Sequence, residues 1–142
     1  MFTGRCLCGA VHYSSTGPAL FSVICHCRDC QRASGSGGVP VMGVLKESFV
    51  CSGPVKQSRT TGSSGLPAVR NFCSECGSLL FGTPESAPQM VTIYAGSLDE
   101  PMSFSPQEVL FAGQRPAWAK LAAQLVEHTA MPGQRGASPS DA

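Results

Sequence analysis

The densest group of chemically capable side chains is the stretch ICHCRDCQ, which places Cys25, Cys27 and Cys30 within six positions. Thiolates are soft ligands that select zinc and related transition metals. Three protein ligands with a vacant fourth position is the arrangement of a catalytic zinc, whereas a structural zinc takes four protein ligands. We therefore predict a zinc site at these three cysteines whose fourth position is open or holds water.

The charge of such a site indicates what chemistry it can do. A zinc ion with three thiolates is net negative, so it is a weaker Lewis acid than one held by neutral histidines. It is less suited to making hydroxide from water than to binding a soft ligand such as a thiol sulfur. One alternative stays open: His12 or Cys51 could close the site and make it structural. His26 lies between two ligands and would have to fold back, which argues against its being the fourth ligand.

A second set of cysteines supplies a complete ligand set. These are Cys6, Cys8, Cys73 and Cys76. Four thiolates predict a closed, tetrahedral structural zinc site. A glycine follows the last cysteine of each pair, and a glycine there lets the chain turn tightly and point N–H groups at the sulfur. In the three-cysteine stretch, Gln31 stands at that place, so we expect that site to be built differently.

Composition excludes several classes of protein. The chain has 142 residues, which fits one domain, and a net charge of +1 without a run of Lys or Arg, which argues against nucleic-acid binding. No stretch approaches the roughly 20 apolar residues of a membrane-spanning helix, and the N-terminus lacks the features of a signal peptide. We expect a cytoplasmic protein with no membrane partner, in which thiols stay reduced and close cysteine pairs bind metal.

The elements that must position these cysteines are mostly strands. The 16 glycines and 11 prolines predict a turn-rich, mainly β fold. Strands are predicted at residues 3–14, 20–24, 39–45, 49–51, 55–60, 69–72, 78–81, 90–95 and 108–111. A helical turn is predicted at 28–34, followed by a flexible loop at 35–38.

One longer helix is predicted near the C-terminus, at residues 118–128. Trp118, Leu121 and Leu125, with Ala122 beside them, share a face at spacings of three and four residues, so Trp118 is predicted to be a core anchor. We expect a single domain at residues 1–131 and a disordered tail at 132–142, where glycine, proline and polar residues dominate.

The motifs GRCLCGAV, ICHCRDCQRASGS, NFCSECGSLLF, AGSLDEP and the late PAW resemble the glutathione-dependent formaldehyde-activating enzyme family, over most of the chain. The resemblance implies a β-tent fold, in which zinc pins small antiparallel sheets. It implies two zinc ions per chain: a structural one at Cys6, Cys8, Cys73 and Cys76, and a catalytic one at Cys25, Cys27 and Cys30.

The implied activity is of the carbon–sulfur lyase type, the reversible addition of a thiol such as glutathione to formaldehyde or a similar small aldehyde. The catalytic zinc would bind the thiol and lower its pKa. Proton transfer to the developing alkoxide needs a partner, and His26 and Asp29 are candidates because they are near in sequence. The competing hypothesis is a zinc-stapled binding module or scaffold without turnover.

Overall fold

The computed structural model describes residues 1–120 and 125–134, and this part of the chain is mainly β with one α-helix. That fold class was predicted and is confirmed. The strands are β1 Phe2–Arg5, β2 His12–Ser15, β3 Phe21–Cys25, β4 Val39–Leu45, β5 Phe49–Ser52, β6 Val55–Thr61, β7 Pro67–Cys73, β8 Leu79–Gly82, β9 Met90–Tyr94, β10 Glu108–Leu110 and β11 Val126–Glu127. The α-helix is α1, Arg28–Ser34, where a helical turn was predicted.

The chain forms two compact units. The larger comprises Met1–Phe21 and Met42–Phe104, and the smaller comprises Ser22–Val41 and the described part of Ser105–Ala142. Within the larger unit, β1, β2 and β5 form an antiparallel sheet in that order, and β9, β8, β7 and β6 lie side by side in a second sheet. β4 begins in the smaller unit and ends in the larger one.

The core of the larger unit is apolar and centres on Tyr13. This ring is 4% exposed and stacks on Phe49 with 5.5 Å between centroids. Its hydroxyl lies 2.7 Å from Ser97 Oγ, so the polar end of a buried ring is satisfied. Gly4 lies opposite Tyr13 in the β1–β2 pair, and a Cβ at Gly4 would meet the Tyr13 ring at 2.2 Å. A glycine is therefore required for the hairpin to close over this ring.

The smaller unit is built on parallel pairing. β10 pairs in parallel with β3 on one side and with β11 on the other. The helix α1 follows β3 after two residues, with Cys27 as its N-cap and Gly35 as a left-handed C-cap. The backbone turn at Gly35, with φ +71°, ends the helix because glycine adopts this conformation without steric cost.

The helix predicted at residues 118–128 is wrong where the structure describes it. Val126–Glu127 is a strand, held on β10 by the N–H of His128, which donates to Val109 O at 2.8 Å. Trp118 lies in a turn and is 73% exposed, so it is not the predicted core anchor. The helical spacing of apolar residues misled the prediction because pairing with a neighbouring strand overrides local periodicity. Leu121 and Ala122 of that predicted face lie outside the described residues.

The strand predicted at 3–14 is interrupted. β1 ends at Arg5 and β2 begins at His12, and the intervening cysteine segment is a turn. In the predicted tail, residues 132–134 lie in a turn, and residues 135–142 lie outside the described part. Among the described residues, no helix is long and apolar enough to cross a membrane.

Candidate metal centres

The four-cysteine cluster joins two tight turns of the larger unit. Cys6 and Cys8 lie in the turn between β1 and β2, whereas Cys73 ends β7 and Cys76 lies in the turn before β8. The four sulfurs lie within 4.8 Å of one another, with Cys6 Sγ 3.5 Å from Cys8 Sγ and Cys8 Sγ 3.8 Å from Cys73 Sγ. Tetrahedral zinc with bonds of about 2.3 Å needs sulfurs about 3.8 Å apart. The donor set and its spacing therefore fit zinc.

The glycine after each pair makes the same kind of turn twice. Gly9 has φ +81° and Gly77 has φ +76°, both left-handed. The Gly9 N–H donates to Cys6 O at 3.1 Å, and the Gly77 N–H donates to Cys73 O at 2.9 Å. A side chain would be strained at either position. The two glycines thus have the turn-forming role that was predicted, although Cys6 and Cys8 do not lie in a strand.

Hydrogen-bond donors bring two of these thiols towards the thiolate form. A hydrogen bond from the Ser78 hydroxyl, 3.1 Å from Cys76 Sγ, lowers the pKa of Cys76 to about 5. Burial opposes ionisation of Cys6, but the Val11 N–H, 3.2 Å from its sulfur, and neighbouring thiols bring the pKa of Cys6 below its ordinary value.

The pKa of Cys8 moves the other way. A hydrogen bond from the Ala10 N–H lowers it, yet Cys6 and the other neighbours outweigh this and raise the pKa of Cys8 to about 12. Ionisation of all four thiols is thus opposed where negative sulfurs would crowd together, and a cation would offset that repulsion by replacing the proton.

The three-cysteine cluster lies at the junction of β3 and α1 in the smaller unit. Cys25 is the last residue of β3, Cys27 is the N-cap of α1, and Cys30 lies in the first turn. Their three sulfurs lie within 4.8 Å of one another. The Cys30 N–H donates to Cys27 Sγ at 3.3 Å, which favours the thiolate at that helix end.

No described His, Cys, Asp or Glu side chain joins these three sulfurs as a fourth ligand. Both residues that could have closed the site belong to the larger unit: His12 pairs with Ser52, and Cys51 pairs with Tyr13. Asp29 is exposed in the first turn of α1. Within the described part of the chain, the two clusters therefore differ in ligand number, four against three.

Apolar side chains pack against the three cysteines. Cys25 packs with Phe111 and Ala130 in a buried cluster, and Leu110 joins its edge. Phe111 has φ +55°, the one non-glycine residue with positive φ among those the structure describes. A bulky residue in this conformation is strained and is maintained by its surroundings, as is common at functional sites.

Crowding makes ionisation of all three thiols costly without a cation. Hydrogen bonding with Cys27 and then with Cys30 raises the pKa of Cys25 well above its ordinary value, and burial adds to the effect. Ionisation of Cys25 beside the other two sulfurs is therefore disfavoured, and a positive charge among the three sulfurs would offset this. This fits a metal site better than a set of free thiols.

A buried glutamine frames the three-cysteine cluster. Gln31 is 6% exposed, and its Nε2 donates to His26 O at 2.7 Å and to Gln114 O at 2.9 Å. Its Oε1 accepts from the Arg28 guanidinium, while Gln114 Oε1 accepts from the Arg28 N–H at 2.7 Å. Both the oxygen and the nitrogen of the Gln31 amide therefore have hydrogen-bond partners. These bonds join α1 to the residue after β3 and to the turn at residues 112–114.

Sequence reasoning noted only that Gln31 stands where glycine follows the other cysteine pairs. The structural role of Gln31 depends on Gln114, which lies 83 residues further along the sequence. The roles of Gln114 and Phe111 depend in the same way on residues that are distant in sequence. No local pattern could have indicated them. The unlike residue after Cys30 was the one available signal, and it did indicate a differently built site.

Comparisons with known proteins identify the family and the fold of this chain. A protein of Halomonas elongata, whose name assigns it provisionally to glutathione-dependent formaldehyde activation, is 27% identical over 128 residues, covering 85% of this chain and 81% of its own length. A crystal structure of a Rhodobacter sphaeroides protein shares the fold, with a TM-score of 0.55 at 19% identity, over 68% of this chain and 87% of that chain. Residues 1–114 match the family described as glutathione-dependent formaldehyde-activating enzyme, and the chain belongs to that family.

Proposed function

We propose that this chain is a zinc-dependent enzyme of the carbon–sulfur lyase type, which reversibly adds a thiol, glutathione, to formaldehyde or a similar small carbonyl in the cytoplasm. The observation that carries the proposal is the contrast between the clusters: four sulfurs in one, and three without a fourth described ligand in the other. Membership of the family supports the choice of thiol and carbonyl.

The two clusters take different roles in this proposal. Cys6, Cys8, Cys73 and Cys76 hold a structural zinc. Cys25, Cys27 and Cys30 hold the catalytic zinc. When bound, a zinc ion with three thiolate ligands offers one position to a soft donor such as a thiol sulfur and lowers the pKa of that thiol.

The reaction itself is redox-neutral. The thiol loses its proton, a sulfur–carbon bond forms, the π bond of the carbonyl breaks, and a proton is taken up by the oxygen, giving a hydroxymethyl thioether. The chain contributes positioning and exclusion of water. Phe111, Ala130 and Leu110 pack against the cysteines as an apolar face, and Gln31 links the cysteine-bearing elements by hydrogen bonds. Exclusion of water strengthens electrostatic interactions at the sulfurs.

The test is NMR exchange spectroscopy on glutathione and formaldehyde at equilibrium with S-hydroxymethylglutathione, with and without the zinc-loaded protein. We expect clear acceleration over the uncatalysed exchange, lost in Cys30→Ser. The matched control is Cys51→Ser, since Cys51 is a half-buried cysteine outside both clusters, and it should keep full activity. No acceleration by the wild type would contradict the proposed substrates, and an unfolded Cys30→Ser protein would support a non-catalytic binding module instead.

A further inference from the structure

His26 is buried beside the three-cysteine cluster without being part of it. The residue lies between two of the cysteines and is 2% exposed. Its nitrogens nevertheless do not join the three sulfurs, which lie within 4.8 Å of one another. The His26 ring instead lies against Gly37 and Gly38 of the loop after α1. Its contacts, rather than a metal bond, must explain its place there.

The hydrogen bond of the ring identifies its tautomer. Nδ1 lies 2.6 Å from the Gly37 carbonyl oxygen. A carbonyl oxygen only accepts, so the hydrogen is on Nδ1 and the neutral ring has a bare Nε2. Nε2 is buried and, within residues 1–120 and 125–134, has no hydrogen-bond partner. The bond to Gly37 is therefore the polar contact of this ring among the described residues.

The loop that accepts this bond fits tightly between two neighbours. A Cβ on Gly38 would lie 2.6 Å from His26 Nδ1, and a Cβ on Gly37 would lie 2.7 Å from Ala119 Cβ and 2.8 Å from the Trp118 ring. Neither glycine has a positive φ, so their backbone conformation does not demand glycine. Glycine is needed at both positions because there is no room for a Cβ atom. The loop at residues 35–38 is thus clamped between the imidazole and the Trp118–Ala119 segment.

The main chain of His26 fixes the ring in its turn. The His26 N–H donates to Leu110 O at 2.9 Å, and its carbonyl accepts from Gln31 Nε2 at 2.7 Å. Together with the bond to Gly37, these contacts join β10, α1 and the loop after α1 at a single residue. The segments so joined carry or flank all three cysteines.

We propose that His26 is a positioning residue for the three-cysteine site: as the Nδ1–H tautomer it fastens the loop at 35–38 and so keeps the three sulfurs at metal-binding distance. This inference rests on the proposed function only for its kinetic readout. Loss of the Nδ1–H donor should weaken metal binding by about 10-fold or more, the lower end for outer-shell partners of metal ligands.

The test compares His26→Asn with His26→Gln, because the asparagine amide places an N–H near Nδ1 and the glutamine amide places one near Nε2. The protein sample keeps zinc in the four-cysteine cluster, and its three-cysteine site has been emptied of metal. Co²⁺ is titrated into this sample, and binding is measured by thiolate-to-cobalt absorption. The Cys30→Ser variant serves as the blank. We expect His26→Asn to keep the affinity within about 3-fold and His26→Gln to lose about 10-fold or more. Equal affinities in the two variants would overturn the proposal.

Two further measurements keep the proposal testable if the variants fold poorly. The ¹⁵N shifts of the wild-type imidazole should show a protonated Nδ1 and a bare Nε2, and the opposite pattern would overturn the assignment. Gly38→Ala, which pushes a methyl group against the ring, should weaken Co²⁺ binding as His26→Gln does. Gly96→Ala is the control, since a Cβ there meets nothing within 4 Å and its φ is not positive.

The kinetic readout separates positioning from proton transfer. A proton carrier would lose kcat in both variants, whereas a positioning residue predicts that His26→Asn restores kcat and KM for glutathione towards wild-type values. Loss of kcat in His26→Asn with unchanged Co²⁺ affinity would overturn the proposal. If the wild type accelerates no reaction, the proposed function fails, while the Co²⁺ and ¹⁵N measurements still decide the role of His26.

Discussion

The residue after the last cysteine of a group decides how the chain leaves the sulfurs. Gly77 turns the backbone into the left-handed region after Cys76, so the chain doubles back and β8 can pair with β7. Gln31 after Cys30 instead continues α1 and sends its amide to His26 O and Gln114 O. Gly77 thus closes a turn through its backbone conformation, whereas Gln31 anchors a helix through side-chain hydrogen bonds.

Replacing Gly77 tests whether its backbone conformation is needed for the turn. Gly77→Ala meets nothing within 4 Å, so its cost is backbone strain alone, at about 1–2 kcal/mol of unfolding free energy. Urea denaturation of the zinc-loaded protein measures it. Gly96→Ala is equally open in space but lacks the positive φ, and it should be much less destabilising. Equal losses in the two variants would contradict a conformational role for Gly77.

Single cysteine replacements should separate the two clusters. Cys73→Ser should abolish cooperative folding, because binding of a structural zinc contributes about 10–16 kcal/mol, as much as or more than the whole stability of a typical domain. Cys30→Ser should keep a cooperative thermal transition, since the four-cysteine cluster keeps all of its cysteines. Circular dichroism melting of both variants is the measurement. A soluble Cys73→Ser protein that melts cooperatively would refute the structural role.

At the scale of elements, the β1–β2 hairpin carries both a turn of the four-cysteine cluster and the central ring of the core. Burial raises the pKa of Tyr13 to about 12, although the Ser97 hydroxyl lowers it slightly. The folded state thus keeps the phenolic proton after the unfolded chain, with a pKa near 10, has lost it. The stability that Tyr13 contributes is complete below about pH 10 and is lost as the pH rises towards 12.

Phenolate absorbance during alkaline titration checks this shift. We expect Tyr13 to ionise late, with a pKa of about 12, and the late phase to lose the amplitude of one tyrosine in Tyr13→Phe. An unchanged late phase in Tyr13→Phe would show that the shift belongs to another group.

The exposed tryptophan gives a second prediction for an element. Trp118 is the only tryptophan and is 73% exposed, so its fluorescence should have the long emission wavelength of a hydrated indole and be readily quenched by acrylamide. Trp118→Ala should cost less than about 1 kcal/mol of unfolding free energy, against about 3–5 kcal/mol for a core tryptophan. A blue-shifted, unquenched emission would contradict the exposed position.

Prediction from sequence succeeded where the determinant was local. The helix at 28–34 and the strand at 39–45 were placed with their observed bounds, since capping, glycine and β-branched residues lie within them. The cysteine groups were partitioned correctly because sulfur is rare and its spacings are diagnostic. The prediction for Val126–Glu127 failed because the strand conformation of these residues comes from pairing with β10, which no nearby residue encodes. The hydrogen bonds of Gln31 were missed for the same reason.

At the scale of the whole molecule, metal removal should proceed in two stages. A chelator should first empty the three-cysteine cluster, which has one ligand fewer, and leave the circular dichroism spectrum unchanged. Metal loss from the four-cysteine cluster should follow at higher chelator concentration and coincide with unfolding. Zinc content measured alongside the spectrum checks both stages. Unfolding that accompanies release of the first zinc would contradict this order.

The two clusters also differ in when they can form during synthesis. Cys25, Cys27 and Cys30 lie within one short segment, so a nascent chain can offer this chelate soon after residue 30 leaves the ribosome. The other cluster must wait for Cys73 and Cys76 and then close a span of 65 residues between Cys8 and Cys73, at a cost in chain entropy that the folded sheets help to offset. The three-cysteine cluster is therefore expected to bind metal first. The four-cysteine cluster is expected to bind metal only when most of the larger unit has folded.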